Sequence, residues 1–190
     1  MNTEAKPSPR ERLLETAASL ACRQGVGIGV DALCATAGVS KRSMYQLFES
    51  KDDLLAAGLE HRAPAYFSQL IPDADEPTAP RARILHVFER LEERAQAPDF
   101  GGCPYLAVQV ELKDAENPVS KVARNVKQEL QAFFRQEATR CGARNPDLLA
   151  RQLIMVFDGA SARAGIRVDD LDGLAANTAA ALLDAAGAQS

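Results

Sequence analysis

Between Gly38 and Phe48 the chain reads GVSKRSMYQLF, and Lys41, Arg42, Ser43, Tyr45 and Gln46 crowd it with donors and a ring. Met44 and Phe48, four apart, form the single apolar stripe of a predicted short helix. The polar set suits duplex nucleic acid. Arg42 can bridge guanine acceptors, Gln46 can read adenine, and the hydroxyls of Ser40, Ser43 and Tyr45 suit phosphate oxygens. A helix this short does not hold itself in water, where isolated helices need roughly 12 to 15 residues. Other elements must carry it.

Those elements are legible in the spacing. The periodicity predicts a first helix over about 9–24, with Leu13, Leu14, Ala17, Leu20 and Ala21 on one face and Gly25 as its stop. GVGIG follows, too glycine-rich for a helix interior. A second helix is expected over 30–37, ending at Gly38, and Ser40 is placed to cap the third. The third should fail near Glu49, because Ser50 and Asp53 form a capping box that starts a fourth. Three short helices with AGVS as the tight turn make a helix-turn-helix, whose protruding third helix can enter a major groove.

The remainder also reads as helical. The fourth helix carries Leu54, Leu55, Leu59, Tyr66 and Phe67, with a kink or break expected at Pro64. PDADEPTAP is a loop. Further helices are expected over about 80–97, 105–115, 118–141, 146–164 and 171–186, with PDFGGCP breaking the chain before the 105–115 segment. The expected fold is all-α, about nine helices, divided into a tail (1–8), a helix-turn-helix DNA-binding domain (9–51) and a larger helical domain (52–190).

Composition agrees with a folded helical protein: 46% of the 190 residues are hydrophobic, 5% aromatic, and Trp is absent. The net charge of -4 argues against indiscriminate nucleic-acid binding, but its distribution is uneven. Through Arg62 there are 8 Lys/Arg against 8 Asp/Glu, and from Ala63 onward 14 against 18. Around the third helix Lys41, Arg42 and Lys51 outnumber Glu49. Cys22, Cys34, Cys103 and Cys141 lie far apart with no CxxC pair, and read as reduced, buried residues consistent with a cytoplasmic location. A redox role for Cys103 is the sharper alternative. Neither an export signal nor a run of about 18 apolar residues is present, so no membrane association is expected.

RERLLETAASLACRQG and VDALCATAGVSKRSMYQLFESKDDLL, with the helix count of the remainder, resemble the TetR family of bacterial transcriptional regulators. The resemblance implies a homodimer binding a double-stranded DNA operator, a larger helical domain with a small-molecule pocket, and no cofactor. It places Ser40, Lys41, Arg42, Ser43, Tyr45 and Gln46 toward DNA and Lys51 on a phosphate. The family's usual Thr or Ser pair before the second helix is here Ile28 and Gly29, leaving the free amides of Gly29 and Val30 as the phosphate site. By the same resemblance Phe88, Leu91, Cys103, Tyr105, Leu106, Gln109, Phe133 and Phe157 surround the effector. The last two helices offer Leu148, Leu153, Val156, Phe157, Leu174 and Leu182 for dimerisation.

Two rivals belong to other classes. An enzyme would have only His61 and His86, with no nucleophile elbow, phosphate loop or HExxH, and Glu111 with Asp114 reads as a surface or pocket pair before a catalytic dyad, so no catalytic or metal residue is assigned. A helical small-molecule carrier that has lost DNA binding draws only on Ile28 and Gly29.

Overall fold

The computed structural model describes residues 7–73, 79–168 and 170–188. Among them are nine helices and no strand: α1 (Pro9–Gln24), α2 (Val30–Ala37), α3 (Lys41–Leu47), α4 (Lys51–Ser68), α5 (Pro80–Ala95), α6 (Pro104–Leu112), α7 (Pro118–Arg140), α8 (Pro146–Gly165) and α9 (Leu174–Ala186). The helical reading holds throughout, with ends shifted by a few residues. Most of the expected tail, and residues 74–78 of the PDADEPTAP loop, lie outside the described residues.

The chain forms two compact units, one comprising residues through Pro64 with Ala107–Arg124, the other Ala65–Leu106 with Asn125 onward. This differs from a division at 51/52, and α4 explains why. Its Leu54, Leu55 and Leu59 are fully buried. A Cβ added at Gly58 would lie 2.9 Å from both Ala17 Cβ and the Leu14 carbonyl, so α4 rests directly on α1. The first half of α4 is therefore headpiece core. Of the kink or break expected at Pro64, the break does not occur, and α4 continues to Ser68. Proline removes one i to i−4 hydrogen bond, and with only four residues beyond it the last turn is retained.

In the first unit α1, α2 and α3 contact one another, and their apolar stripes supply Leu13, Leu14, Ala17, Leu33, Ala37 and Met44 to one small core. Ser8 and Glu11 close a capping box at the start of α1, where the Ser8 N–H holds the Glu11 carboxyl below its ordinary pKa. In the second unit α5, α8 and α9 pack together. Phe88 and Phe134 stack with centroids 5.6 Å apart, and Phe157 meets Phe88 edge-on at 6.4 Å. Arg83 reaches buried Glu137 at 3.3 Å, and also donates to the Pro72 and Asp73 carbonyls. A buried pair satisfied this fully costs most when one partner is removed. The loop before α6 also lies close to α8: a Cβ at Gly165 would sit 2.7 Å from the Gly101 carbonyl carbon. Glu92 on α5 accepts the N–H groups of Ala175 (2.8 Å) and Ala176 (3.1 Å), capping α9, whose own N-cap residue Gly173 makes no side-chain bond.

Candidate nucleic-acid interface

Seven residues make α3, and its two faces separate cleanly. Met44 is fully buried and the following Phe48 nearly so, with the Arg10 guanidinium 5.7 Å above the Phe48 ring. Ser40, Lys41, Arg42, Tyr45 and Gln46 are exposed, Tyr45 at 54%, and Ser43 is half-buried. Leu47, at 42%, belongs to the outer face. The helix begins because Ser40 Oγ accepts the Ser43 N–H at 3.1 Å. The Ser43 hydroxyl lies 2.9 Å from Ser40 Oγ, so it also buttresses the cap.

The turn leading into α3 is held from outside. Gly38 adopts a left-handed conformation (φ 62°) at the end of α2. Arg12 on α1 donates to the Ala37 carbonyl at 3.0 Å, the Gly38 carbonyl at 3.3 Å and the Pro7 carbonyl at 3.0 Å. An arginine in RERLL thus braces the turn that aims α3, a role its sequence position does not disclose.

At the start of α2, Gly29 is the N-cap with no side-chain bond, and nothing lies within 4 Å of where a Cβ would be. Gly29 is exposed and Val30 half-buried, which leaves the N-terminus of α2 accessible to an anion. Ile28 is buried at 7% exposure, so it serves the headpiece core.

Two features qualify the cations. Lys41 Nζ lies 2.7 Å from Asp31 Oδ1 at the exposed start of α2, and that hydrogen bond raises the ammonium pKa. Lys51 Nζ donates to the Val26 carbonyl at 3.0 Å. An ammonium has two further donors, so a phosphate contact remains open to it, but its first task here is structural.

The other expected groups are spread through the fold. Phe88, Leu91, Cys103, Tyr105 and Phe157 are buried, while Leu106, Gln109 and Phe133 are half-buried. Phe88 and Phe157 meet directly, and Tyr66 touches both Tyr105 (5.0 Å between centroids) and Cys103, whose sulfur lies 3.2 Å from the phenol oxygen. Burial raises the Tyr66 phenol well above its usual range, with the Cys103 side chain adding to it. Gln109 instead borders a depression of about 210 Å³ with Lys113, Asp114, Ala115, Ser120 and Arg124. The four cysteines form no disulfide, and Cys22 is only half-buried, unlike the other three. Burial raises the Cys34 and Cys141 thiols.

Of the residues expected at a dimer contact, Leu153 and Phe157 are buried inside their own unit and are corrected to core. On α8 the inward set is Leu149, Ala150, Leu153, Phe157, Ser161 and Ala164, whose spacing follows one helix face. Leu148 and Leu174 are exposed and Val156 and Leu182 half-buried. Met155, missed in the sequence, is 73% exposed and seven residues from Leu148, on the same face.

Residues 13–57 match the family model for bacterial regulatory proteins of the tetR family. The chain is 31% identical over 134 residues to the HTH-type transcriptional repressor NemR of Escherichia coli (strain K12), covering 66% of this chain and 67% of that one. The chain belongs to the TetR family. A crystal structure from Streptomyces avermitilis MA-4680, described as a TetR transcriptional regulator, is 64% identical, with a TM-score of 0.94 over 96% of this chain and 100% of that one. The reduced form of E. coli NemR shares the fold at 23% identity and a TM-score of 0.79, over 93% and 95% of the chains. In this TetR-family regulator α2 and α3 are the DNA-binding helix-turn-helix, and the family's members usually act as dimers that answer to small molecules. No helix among the described residues is long and apolar enough to cross a membrane.

Proposed function

We propose that this regulator is a cytoplasmic, homodimeric repressor that binds a roughly palindromic operator and leaves it when a small molecule occupies the helical domain. The observation that carries the reading is the division of α3, with Met44 sealed in the core and Lys41, Arg42, Tyr45 and Gln46 exposed on the outer face, where a major groove can meet them. Lys51 and the amides of Gly29 and Val30 would hold phosphates, and repression is drawn from the similarity to NemR. Two-fold symmetry requires half-sites about one helical turn, some 34 to 36 Å, apart. Phe88, Leu91, Cys103, Tyr105, Leu106, Phe133 and Phe157, all in the second unit, favour a mostly apolar effector with a few polar contacts.

The test is selection of genomic fragments by purified protein, followed by titration at several salt concentrations. Operator binding should weaken steeply with salt. Arg42→Ala should cost about 1 to 3 kcal/mol on the selected fragment and relax preference at one base pair in each half-site. Absence of any salt-sensitive preference, together with an inert Arg42→Ala, would sink the reading.

A further inference from the structure

The α1–α2 loop, Gly25-Val-Gly-Ile-Gly29, contains three glycines, and left to itself such a segment is the least ordered part of a headpiece. Here it is pinned at its centre. The Val26 N–H donates to Glu111 Oε2 at 3.0 Å and Oε1 at 3.1 Å, and the Gly27 N–H donates to Oε1 at 3.0 Å. The Val26 carbonyl accepts from Lys51 on α4, and its side chain is buried. Glu111 lies near the end of α6, in the Ala107–Arg124 segment that clusters with the headpiece. The fit is close enough that a Cβ at Gly25, where φ is 81°, would collide with the Glu111 carboxylate. In the same unit Asn117 donates to Asp52 at 2.8 Å, tying the start of α7 to α4.

We propose that Glu111 is a positioning residue for operator binding, its carboxylate fixing the α1–α2 loop so that α2 starts at a set place and presents the Gly29 and Val30 amides together with α3. This rests on the operator-binding reading above. The geometry suits the task because α2 lacks any side-chain cap, so nothing at Gly29 orders the loop locally. A carboxylate provides two acceptor oxygens, and backbone N–H bonds to a charged acceptor are stronger than neutral ones. Glutamine would offer one acceptor, and its amide would face donors with donors.

The sign of the effect separates positioning from plain electrostatics. Removing a negative charge near a DNA-binding surface should by itself tighten DNA binding. Loss of the clamp should weaken it. Glu111→Gln and Glu111→Ala are to be compared with wild type on the selected operator fragment, with Glu49→Gln as a charge control. The expected result is an affinity about threefold to tenfold lower for both Glu111 variants. Their salt slope should be unchanged and their thermal midpoint within about 2 °C of wild type. Amide hydrogen exchange at Val26 and Gly27 should accelerate in both variants while the α1 core does not. Operator affinity equal to or tighter than wild type overturns the proposal, as does weaker binding with unaltered exchange at Val26 and Gly27. A wild type that holds no fragment overturns this proposal and the operator-binding reading together, whereas matching variants on a wild type that binds overturn this one alone.

Discussion

Lys41 stands at the first position of α3 with its ammonium against an aspartate, and both side chains are largely open to water. An exposed pair of this kind is worth little to stability, about 0 to 1 kcal/mol, so its consequence lies in binding. Every contact of Lys41 with a phosphate must compete with Asp31, which lowers the general attraction of the headpiece for DNA. Asp31→Asn should therefore tighten binding to unrelated duplex, with the slope of log affinity against log salt steepening by about 0.9. Titrations of a random-sequence duplex across a salt series would check it, and an unchanged slope would show that Lys41 is not held back. Nothing local in the sequence marks this pairing, because Asp31 lies ten residues upstream, on another helix.

Among the elements, α1, α2 and α3 were readable because their signals are local: a stripe at helical spacing, a left-handed Gly38, a Ser40 cap. The bonds that set the three helices in place were not. Arg12 reaches across 25 residues and Glu111 across 85, and nothing in composition or periodicity records a partner at that distance. The apparent loss of a clamp before α2 also changes meaning, since Ile28 is core and the cap position alone is empty. Gly29 has an extended backbone (φ -74°, ψ 150°) and open space around it, both compatible with a hydroxyl residue. Gly29→Thr should raise stability by a few tenths of a kcal/mol and tighten operator binding through an added phosphate contact. Paired chemical denaturation and operator titration would measure both, and a loss of affinity would mean that DNA approaches too close for a side chain.

At the level of the whole molecule, apolar content predicted a dimer contact on the last two helices but not which face would form it. Helix α8 has more than one apolar face. Leu153 and Phe157 turn inward, while Leu148 and Met155 remain outside at 49% and 73% exposure. A dimer that uses α8 should bury that outer pair. Met155→Glu would place two like charges in a two-fold interface and should convert dimer to monomer at micromolar concentration, read by sedimentation velocity, with operator binding lost in parallel. Leu153→Glu should instead unfold the helical unit, because the charge enters a core with no partner. A dimer unaffected by Met155→Glu would move the interface off this face. The aromatic residues assigned to an effector were legible as types, yet several pack on one another, and from sequence a core ring and a pocket ring look alike.

The glutamate on α5 that receives the first amides of α9 bears on how the C-terminal helix can be inherited or engineered. Because Gly173 supplies no cap, α9 borrows its N-terminal hydrogen bonds from Glu92, more than eighty residues upstream. The helix is therefore not a portable part. A chimaera that imports a relative's final helix to change dimer partner must import a carboxylate at position 92 as well, or supply a capping residue at 173. Recombination that separates the two would yield chains whose last helix frays before any interface is tested.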